Sequence, residues 1–374
     1  MEKLGAGLIL GTGRKDTMRK SGALPIEVII PCHNPERPIH RAVASVINGN
    51  SGIGEVTVVC HNTSPKKIET ALGTEMARAV RLIECADGVH SPAGPMNAGL
   101  ANARSPWVSF LGSDDSLAPD ALSAWLQVAK GTDAVIAREH FSDGRAIRTP
   151  VHRLLPRRFA DPIRDRLFYR SAPLGLLRTA FLQKHNLAFT PGLPTGEDIA
   201  LTSQIWATGK VRAQTFGPGY MVGEDATDRV TTRSRSAAEA LAFIPSVWDQ
   251  SWLQKWPPRL RDALGTAHLR LHVFGWATAK INDPRLFEGD QEVVSNAIKK
   301  ILELAPGALL PMSARDRNLI DALLDQQAPF EEILSLAQKR RKFYHPGSLF
   351  TRDLANVLAP DAPLRFSVAS ALIR

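Results

Sequence analysis

Cysteine is scarce in this chain, with only Cys32, Cys60 and Cys85 among 374 residues. So small and odd a number excludes a disulfide framework and fits a reducing cytoplasm. Tyrosine is equally rare, with three residues, so a surface that stacks nucleic-acid bases lacks its material. No RNA- or DNA-binding signature is present. No apolar run reaches the length of a membrane span. There is no long tail of one charge sign either. The 46 Lys and Arg against 37 Asp and Glu give a net charge of +9 distributed along the chain, which points to an anionic partner other than nucleic acid. Residues 1–24 place the apolar patch Leu4–Leu10 before Arg14, Lys15, Arg19 and Lys20. A signal peptide has the opposite order. The segment is expected to be a disordered leader, with Met18 as an alternative start.

What is present is alternation. Ile26–Pro31, Val56–Cys60, Val80–Glu84, Trp107–Leu111 and Asp133–Ala137 are short β-branched or apolar runs. Between them, Arg37–Asn48, Ile68–Ala79, Asn97–Arg104 and Pro119–Lys130 carry helical spacing or helix-start signals. Strands alternating with helices predict an α/β fold with a mostly parallel sheet and right-handed crossovers. The strand ends at Pro31–Asn34, Cys60–Ser64, Glu84–Ala86 and Gly112–Asp115 then share one edge, where such sheets bind ligands. After Arg235 the alternation stops, and 237–374 reads as a helical region.

The strand Trp107–Leu111 runs into Gly112-Ser113-Asp114-Asp115-Ser116. Adjacent carboxylates at a sheet edge repel each other and favour a cationic partner, typically a divalent metal with its phosphates. As a bland alternative, Asp114 and Asp115 cap the following helix.

Four segments together resemble glycosyltransferase family 2: Glu27–Asn34, Asn97–Ala103, Phe110–Pro119 with its acidic pair, and Gly196–Leu201 with Glu197-Asp198. They occur in the family's order over roughly 26–235, and Gly175–Phe189 resembles its acceptor-side segment. The resemblance implies a GT-A fold over 25–236, followed by the helical domain 237–374. It also implies inverting transfer from a nucleotide-sugar donor, a UDP-sugar by family habit, to a glycan or lipid-linked hydroxyl acceptor. Mg²⁺ or Mn²⁺ is the implied cofactor. Asp115 is the expected metal ligand, and Asp114 holds the ribose or shares the metal. Asp198 is the expected general base, with Glu197 beside it. Pro31, His33, Asn34, His61, Asn62 and Asn97 are expected around the donor. Arg229, Arg233 and Arg235 are expected on its diphosphate, where a planar guanidinium suits paired hydrogen bonds.

The chain departs from the family at three places. The loop Cys60–Pro65 has no carboxylate to read a base, Gly112 replaces the first Asp of D-x-D, and Pro95-Met96 precede Asn97 in place of a basic residue. The altered loop motivates a rival reading, a non-catalytic GT-A-like binding or assembly protein. A nucleotidyltransferase wants a glycine-rich loop after its first strand, and Gly11–Arg14 precedes it. Cys32-His33, Cys60-His61 and Cys85 with His90 lie at three strand ends, yet no C-x-x-C spacing points to zinc. His268 and His272 are four apart without a third partner and read as packing residues. Lys339–Lys342 followed by Phe343-Tyr344 fits either peripheral contact with an anionic inner membrane face or a helix end that favours the dipole. The helices after 237 also offer a surface for homo-oligomers.

Overall fold

The structure is a computed structural model that describes residues 23–147, 158–225, 235–280 and 289–372. The expected leader lies almost entirely outside these residues.

Eleven strands are described: β1 (Ile26–Cys32), β2 (Gly54–His61), β3 (Arg81–Cys85), β4 (Trp107–Phe110), β5 (Ser116–Leu117), β6 (Ala134–Ile136), β7 (Glu139–Phe141), β8 (Ala146–Ile147), β9 (Gly175–Arg178), β10 (Val211–Ala213) and β11 (Tyr220–Val222). Seven form the main sheet in the order β10-β6-β9-β4-β1-β2-β3. β1 pairs parallel with both β2 and β4, and β2 with β3. β9 is the exception, antiparallel to β4 and β6. The GT-A expectation of a mostly parallel sheet therefore holds, with one reversed strand at its centre. Gly175–Phe189, read from resemblance as an acceptor-side segment, begins with this strand.

β1 is apolar along nearly its whole length because both faces are covered. Val28 and Ile30 join a core with Val43 and Val46 of helix α1 (Ile39–Ile47) and Trp125 of a later helix. Ile29 faces the opposite way, into a second core. Helices α2 (Pro65–Ala79), α3 (Ala93–Ala101) and α4 (Ala121–Val128) complete the crossovers. The polar exception on β1 is Glu27, fully buried at the amino end of the sheet. Its carboxylate accepts Thr57 Oγ1 at 2.6 Å, the Arg104 backbone N–H at 2.7 Å and the Arg81 guanidinium. A buried charge persists when it is paired and hydrogen-bonded in this way.

A small second sheet, in the order β5-β11-β7-β8, flanks the ligand edge. Its strands are two or three residues long, too short to leave a periodicity in the sequence. Helices α5 (Thr179–Lys184) and α6 (Ile199–Thr208) precede β10 and β11, the last strands of the α/β half.

The remaining half is helical, and among the described residues its only strand-like contact is an isolated bridge between Ser313 and Thr351. Within this half, Pro258–His268 and Phe274–Lys280 are α-helices joined by a π-helical turn at Leu269–Val273. At that turn His268 and His272 both pack on Phe243, and His268 Nδ1 accepts Trp248 Nε1–H at 3.1 Å. Burial pushes the His272 imidazole down to about 4. Their spacing of four is a packing feature. The second core is continuous across both halves, from Ile29, Phe110 and Trp206 to Trp248, Ile301, Leu319 and Ala337. Arg270 ties the halves together by donating to Tyr169 Oη at 2.9 Å, and within the helical half it donates to the Asp361 carbonyl at 2.7 Å.

Candidate active site

The main ladder ends where Leu111 N–H bonds the Ile29 carbonyl at 3.0 Å. The chain then leaves the sheet, and Gly112–Asp115 form its rim. Tyr220 of β11 fixes this rim. Its hydroxyl accepts the Gly112 N–H at 2.9 Å and donates to Asp115 Oδ2 at 2.5 Å. Burial and the Asp115 charge hold the phenol far above its usual pKa, so it stays a donor. The second Asp115 oxygen accepts the Gly223 N–H at 2.8 Å. Each oxygen of Asp115, the expected metal ligand, therefore already holds a protein donor. The Gly112 departure has a local reason: a Cβ there would lie 2.4 Å from Asp115 Oδ2. The family's Asp at 112 is incompatible with this seat for Asp115.

Asp114 is buried and faces a different neighbour. Arg37 Nη1 lies 3.2 Å from both Asp114 Oδ1 and Ser113 Oγ. Arg41 donates to the Asp114 carbonyl and makes a paired bridge to Asp225 at 2.7 and 2.8 Å. Arg37 and Arg41 are four apart in sequence, on either side of the Pro38 N-cap of α1, and both reach Asp114. Sequence reasoning passed over both. That spacing beside a Pro-opened helix, next to the first motif, was the available signal.

The Pro31–Asn34 turn lies at the end of β1, with Pro31 half-buried and His33 exposed. Asn34 Oδ1 accepts the Glu36 N–H at 3.0 Å, which shapes the turn. At the neighbouring strand ends, His61 and Asn62 meet Asp87, a residue not predicted. His61 Nε2 lies 2.9 Å from Asp87 Oδ1, and Asn62 Nδ2 bonds Asp87 Oδ1 at 3.3 Å and the Val89 carbonyl at 3.1 Å. The Val89 N–H and His61 hold the Asp87 carboxyl below its usual range. The carboxylate missing from loop 60–65 is thus supplied one strand further on. The signal was Ala86-Asp87-Gly88 directly after a strand.

Asn97 lies on α3, and the Phe189 backbone takes up both ends of its amide. Nδ2 donates to the Phe189 carbonyl and Oδ1 accepts its N–H, each at 2.9 Å. The side chain clamps two segments together. Phe189 packs edge-on against Phe110 at the end of β4, with ring centroids 4.8 Å apart. Next in the chain, the Thr190 N–H bonds the Glu197 carbonyl at 2.8 Å. Asn97, Phe189 and Thr190 therefore tether Glu197-Asp198 to the edge that carries Gly112–Asp115.

Asp198 occupies the N-cap position of α6, yet its side chain makes no capping bond. Enclosure by protein, together with the Glu197 charge, raises the Asp198 carboxyl well above its ordinary value. Enclosure also raises Glu197, and the nearby Arg235 charge opposes that rise. Arg235 thus stands beside the acidic pair. Arg229 and Arg233 lie outside the described residues.

A rim acid held by guanidinium groups and an uncapped, proton-seeking acid on the same edge suit transfer from a phosphate-linked donor. Residues 27–186 match glycosyl transferase family 2. Over this stretch the chain is similar to that family. Succinoglycan biosynthesis protein ExoO of Rhizobium meliloti is 27% identical over 211 residues, which are 52% of this chain and 60% of that protein. The poly(ribitol-phosphate) beta-N-acetylglucosaminyltransferase TarP of Staphylococcus aureus is 23% identical over 190 residues, which are 50% of this chain and 58% of that one. The chain spans less than two thirds of the length of either relative. A crystal structure of S. aureus TarS 1-349 with UDP-GlcNAc superposes with a TM-score of 0.69 at 15% identity, covering 86% of this chain and 93% of that one. That likeness shows a GT-A fold. Its coverage of the chain extends into the helices after residue 236.

Proposed function

We propose that the chain transfers a sugar, with inversion, from a nucleoside-diphosphate donor to a hydroxyl acceptor during synthesis of a polysaccharide or cell-surface glycan. The observation that carries this reading is the uncapped, proton-seeking carboxyl of Asp198, tethered through Phe189 to the edge that bears Asp114. Asp198 takes the acceptor hydroxyl's proton as that oxygen attacks the anomeric carbon, and the diphosphate leaves. A raised pKa suits a base working near neutrality. Glu197 and Arg235 orient the acceptor side.

The hard carboxylate oxygens of the rim fit Mg²⁺ or Mn²⁺. Asp114, which meets Arg37 through Oδ1, is the residue that would hold the ion, since both oxygens of Asp115 already accept protein donors. When bound, the ion offsets charge gathering on the leaving diphosphate. Arg37 and Arg41 add fixed positive charge at the same place. Asp87 and Asn62 read the base. A carboxylate that accepts an N–H suits uracil, and UDP-GlcNAc is the compound bound in the TarS complex. With an acid at that edge, the motive for a non-catalytic reading falls away.

Release of nucleoside diphosphate from a panel of nucleotide sugars, with Mg²⁺ or Mn²⁺ and with chelator, tests the reading. Metal-dependent release from a UDP-sugar is expected. The absence of both release and thermal stabilisation with every nucleotide of the panel would overturn it.

We also infer that the helical half touches an anionic bilayer. Tyr344 is 96% and Phe343 70% exposed, beside exposed Lys339, Arg341 and Lys342. Arg340, counted in the same run, is instead held at 2.9 Å from Asp316 and over the Phe274 ring. Among the described residues no helix is long and apolar enough to cross a membrane. Sedimentation with anionic vesicles, lost at high salt, is the expected outcome, and equal sedimentation with neutral vesicles would refute it.

A further inference from the structure

Three side chains of metal-binding type converge at the ends of β2 and β3. The parallel register places His61 directly opposite Cys85, so both project from the same face of the sheet. Asn62 and Gly88 both take positive φ, 51° and 68°, and turn their loops so that Asp87 closes over the pair. His61 Nε2 lies 2.9 Å from Asp87 Oδ1, Cys85 Sγ lies 3.9 Å from Asp87 Oδ2, and one ligand atom from each residue falls within 4.8 Å of the others. Ligands of a tetrahedral zinc ion lie roughly 3.4 Å apart, given bonds of about 2.0–2.3 Å. The closure depends on Gly94, where a Cβ would lie 2.0 Å from Asp87 Oδ2 and 3.8 Å from Cys85 Sγ.

We propose that His61, Cys85 and Asp87 bind a thiophilic divalent cation of the zinc class, and that this ion competes with the donor's base. One imidazole nitrogen, one sulfur and one carboxylate oxygen make a mixed donor set that zinc accepts and that Mg²⁺ and Mn²⁺ disfavour. The oxygen-only rim at Asp114 has the opposite preference, so the two places select different metals. Cys85 and Asp87 are partly open to solvent, which gives the ion access and leaves a coordination position for water. On binding, the Cys85 thiol loses its proton to solvent and a metal–sulfur bond forms. His61 exchanges its contact with Asp87 for the metal. The competition rests on the reading of Asp87 as the base contact, since a carboxylate holding zinc no longer accepts the base N–H.

The test uses the full chain, first with cobalt(II) as a spectroscopic stand-in for zinc. Native protein is expected to develop a thiolate-to-cobalt charge-transfer band in the near ultraviolet, which zinc then bleaches. Cys85→Ser should lack the band and bind zinc at least about tenfold more weakly by calorimetry, while its UDP affinity in Mg²⁺ without zinc stays at the native value. No band in the native chain, or a band that persists in Cys85→Ser, overturns the site. UDP titrations with and without zinc then test the competition. Weakening in the native protein alone supports it. Native zinc binding with unchanged UDP affinity overturns the competition. Loss of UDP binding in chelated, Mg²⁺-supplied native protein would instead sink the donor reading, with the cobalt band still reporting on the cation site.

Discussion

The two ends of the main sheet treat buried acid in opposite ways. At the amino end, Glu27 is saturated by Thr57, Arg81 and the Arg104 amide. At the carboxyl edge, Asp198 sits at a helix start without capping it and is pushed toward its protonated form by Glu197 and by enclosure. Both ends carry charge that folding has to accommodate. The first arrangement neutralises it. The second keeps it reactive, and folding stability is lower for it. A carboxyl held toward its protonated form is one that can take a proton from a substrate.

The strongest way to break this contrast is Asp198→Asn. Turnover should fall by roughly a hundred- to ten-thousandfold, the range for a lost general base. UDP binding should hold, and thermal stability near neutral pH should rise. The pH dependence carries a definite sign. A carboxyl whose folded pKa exceeds its unfolded value binds more protons in the native state. The fold therefore loses stability as pH climbs from the unfolded pKa through the folded one. Native protein should show that loss above the ordinary carboxylate range, and Asp198→Asn should flatten it. The acid limb of kcat/KM should likewise lie above that range. A collapse of donor affinity in the variant would make Asp198 a donor contact.

At the other end, Glu27→Gln is expected to cost about 3 kcal/mol of unfolding free energy, because it strands the Arg81 charge. That figure is at the low end for a broken buried pair, since Arg81 is 27% exposed and keeps some water. Activity per folded molecule should not change. A variant that lost turnover while keeping its unfolding midpoint would erase the distinction between the two ends.

How far the sequence announced this arrangement differs between the same two regions. β1, β2, β4 and the crossover helices were legible because buried parallel strands are continuous apolar runs and their helices keep a 3.6-residue period. Asp114 and Asp115 stood out as acids at a strand end, and Glu197 and Asp198 through the resemblance to the family motif. The second sheet was illegible, since strands of two or three residues carry no period, and β11 with Tyr220 went unnoticed for that reason. Asp87 was missed because the acid was sought after β2, whereas loop geometry imports it from β3. Asn97 was recognised by motif, but only contacts show its amide engaged by Phe189. Pattern finds a residue's element, and packing decides which neighbour takes its polar atoms.

The smallest expected effects come from a matched pair of hydroxyl deletions, one at each end. Tyr220→Phe removes the donor to Asp115 and the acceptor for the Gly112 amide. It should cost about 1–2 kcal/mol, with much of the loss appearing in donor affinity because the rim that bears Asp114 loosens. Thr57→Val removes the hydroxyl that donates to Glu27 and accepts from Arg81 Nε at 3.1 Å. Glu27 keeps Arg81 and the Arg104 amide, so about 1 kcal/mol of stability is the expected loss, with KM for the donor unchanged. Denaturant unfolding and donor KM, measured on both variants, place each hydroxyl on one side of the contrast. If Thr57→Val shifted donor KM as much as Tyr220→Phe, the amino end would be coupled to the chemistry through β1, and the sheet would not separate structural acid from reactive acid.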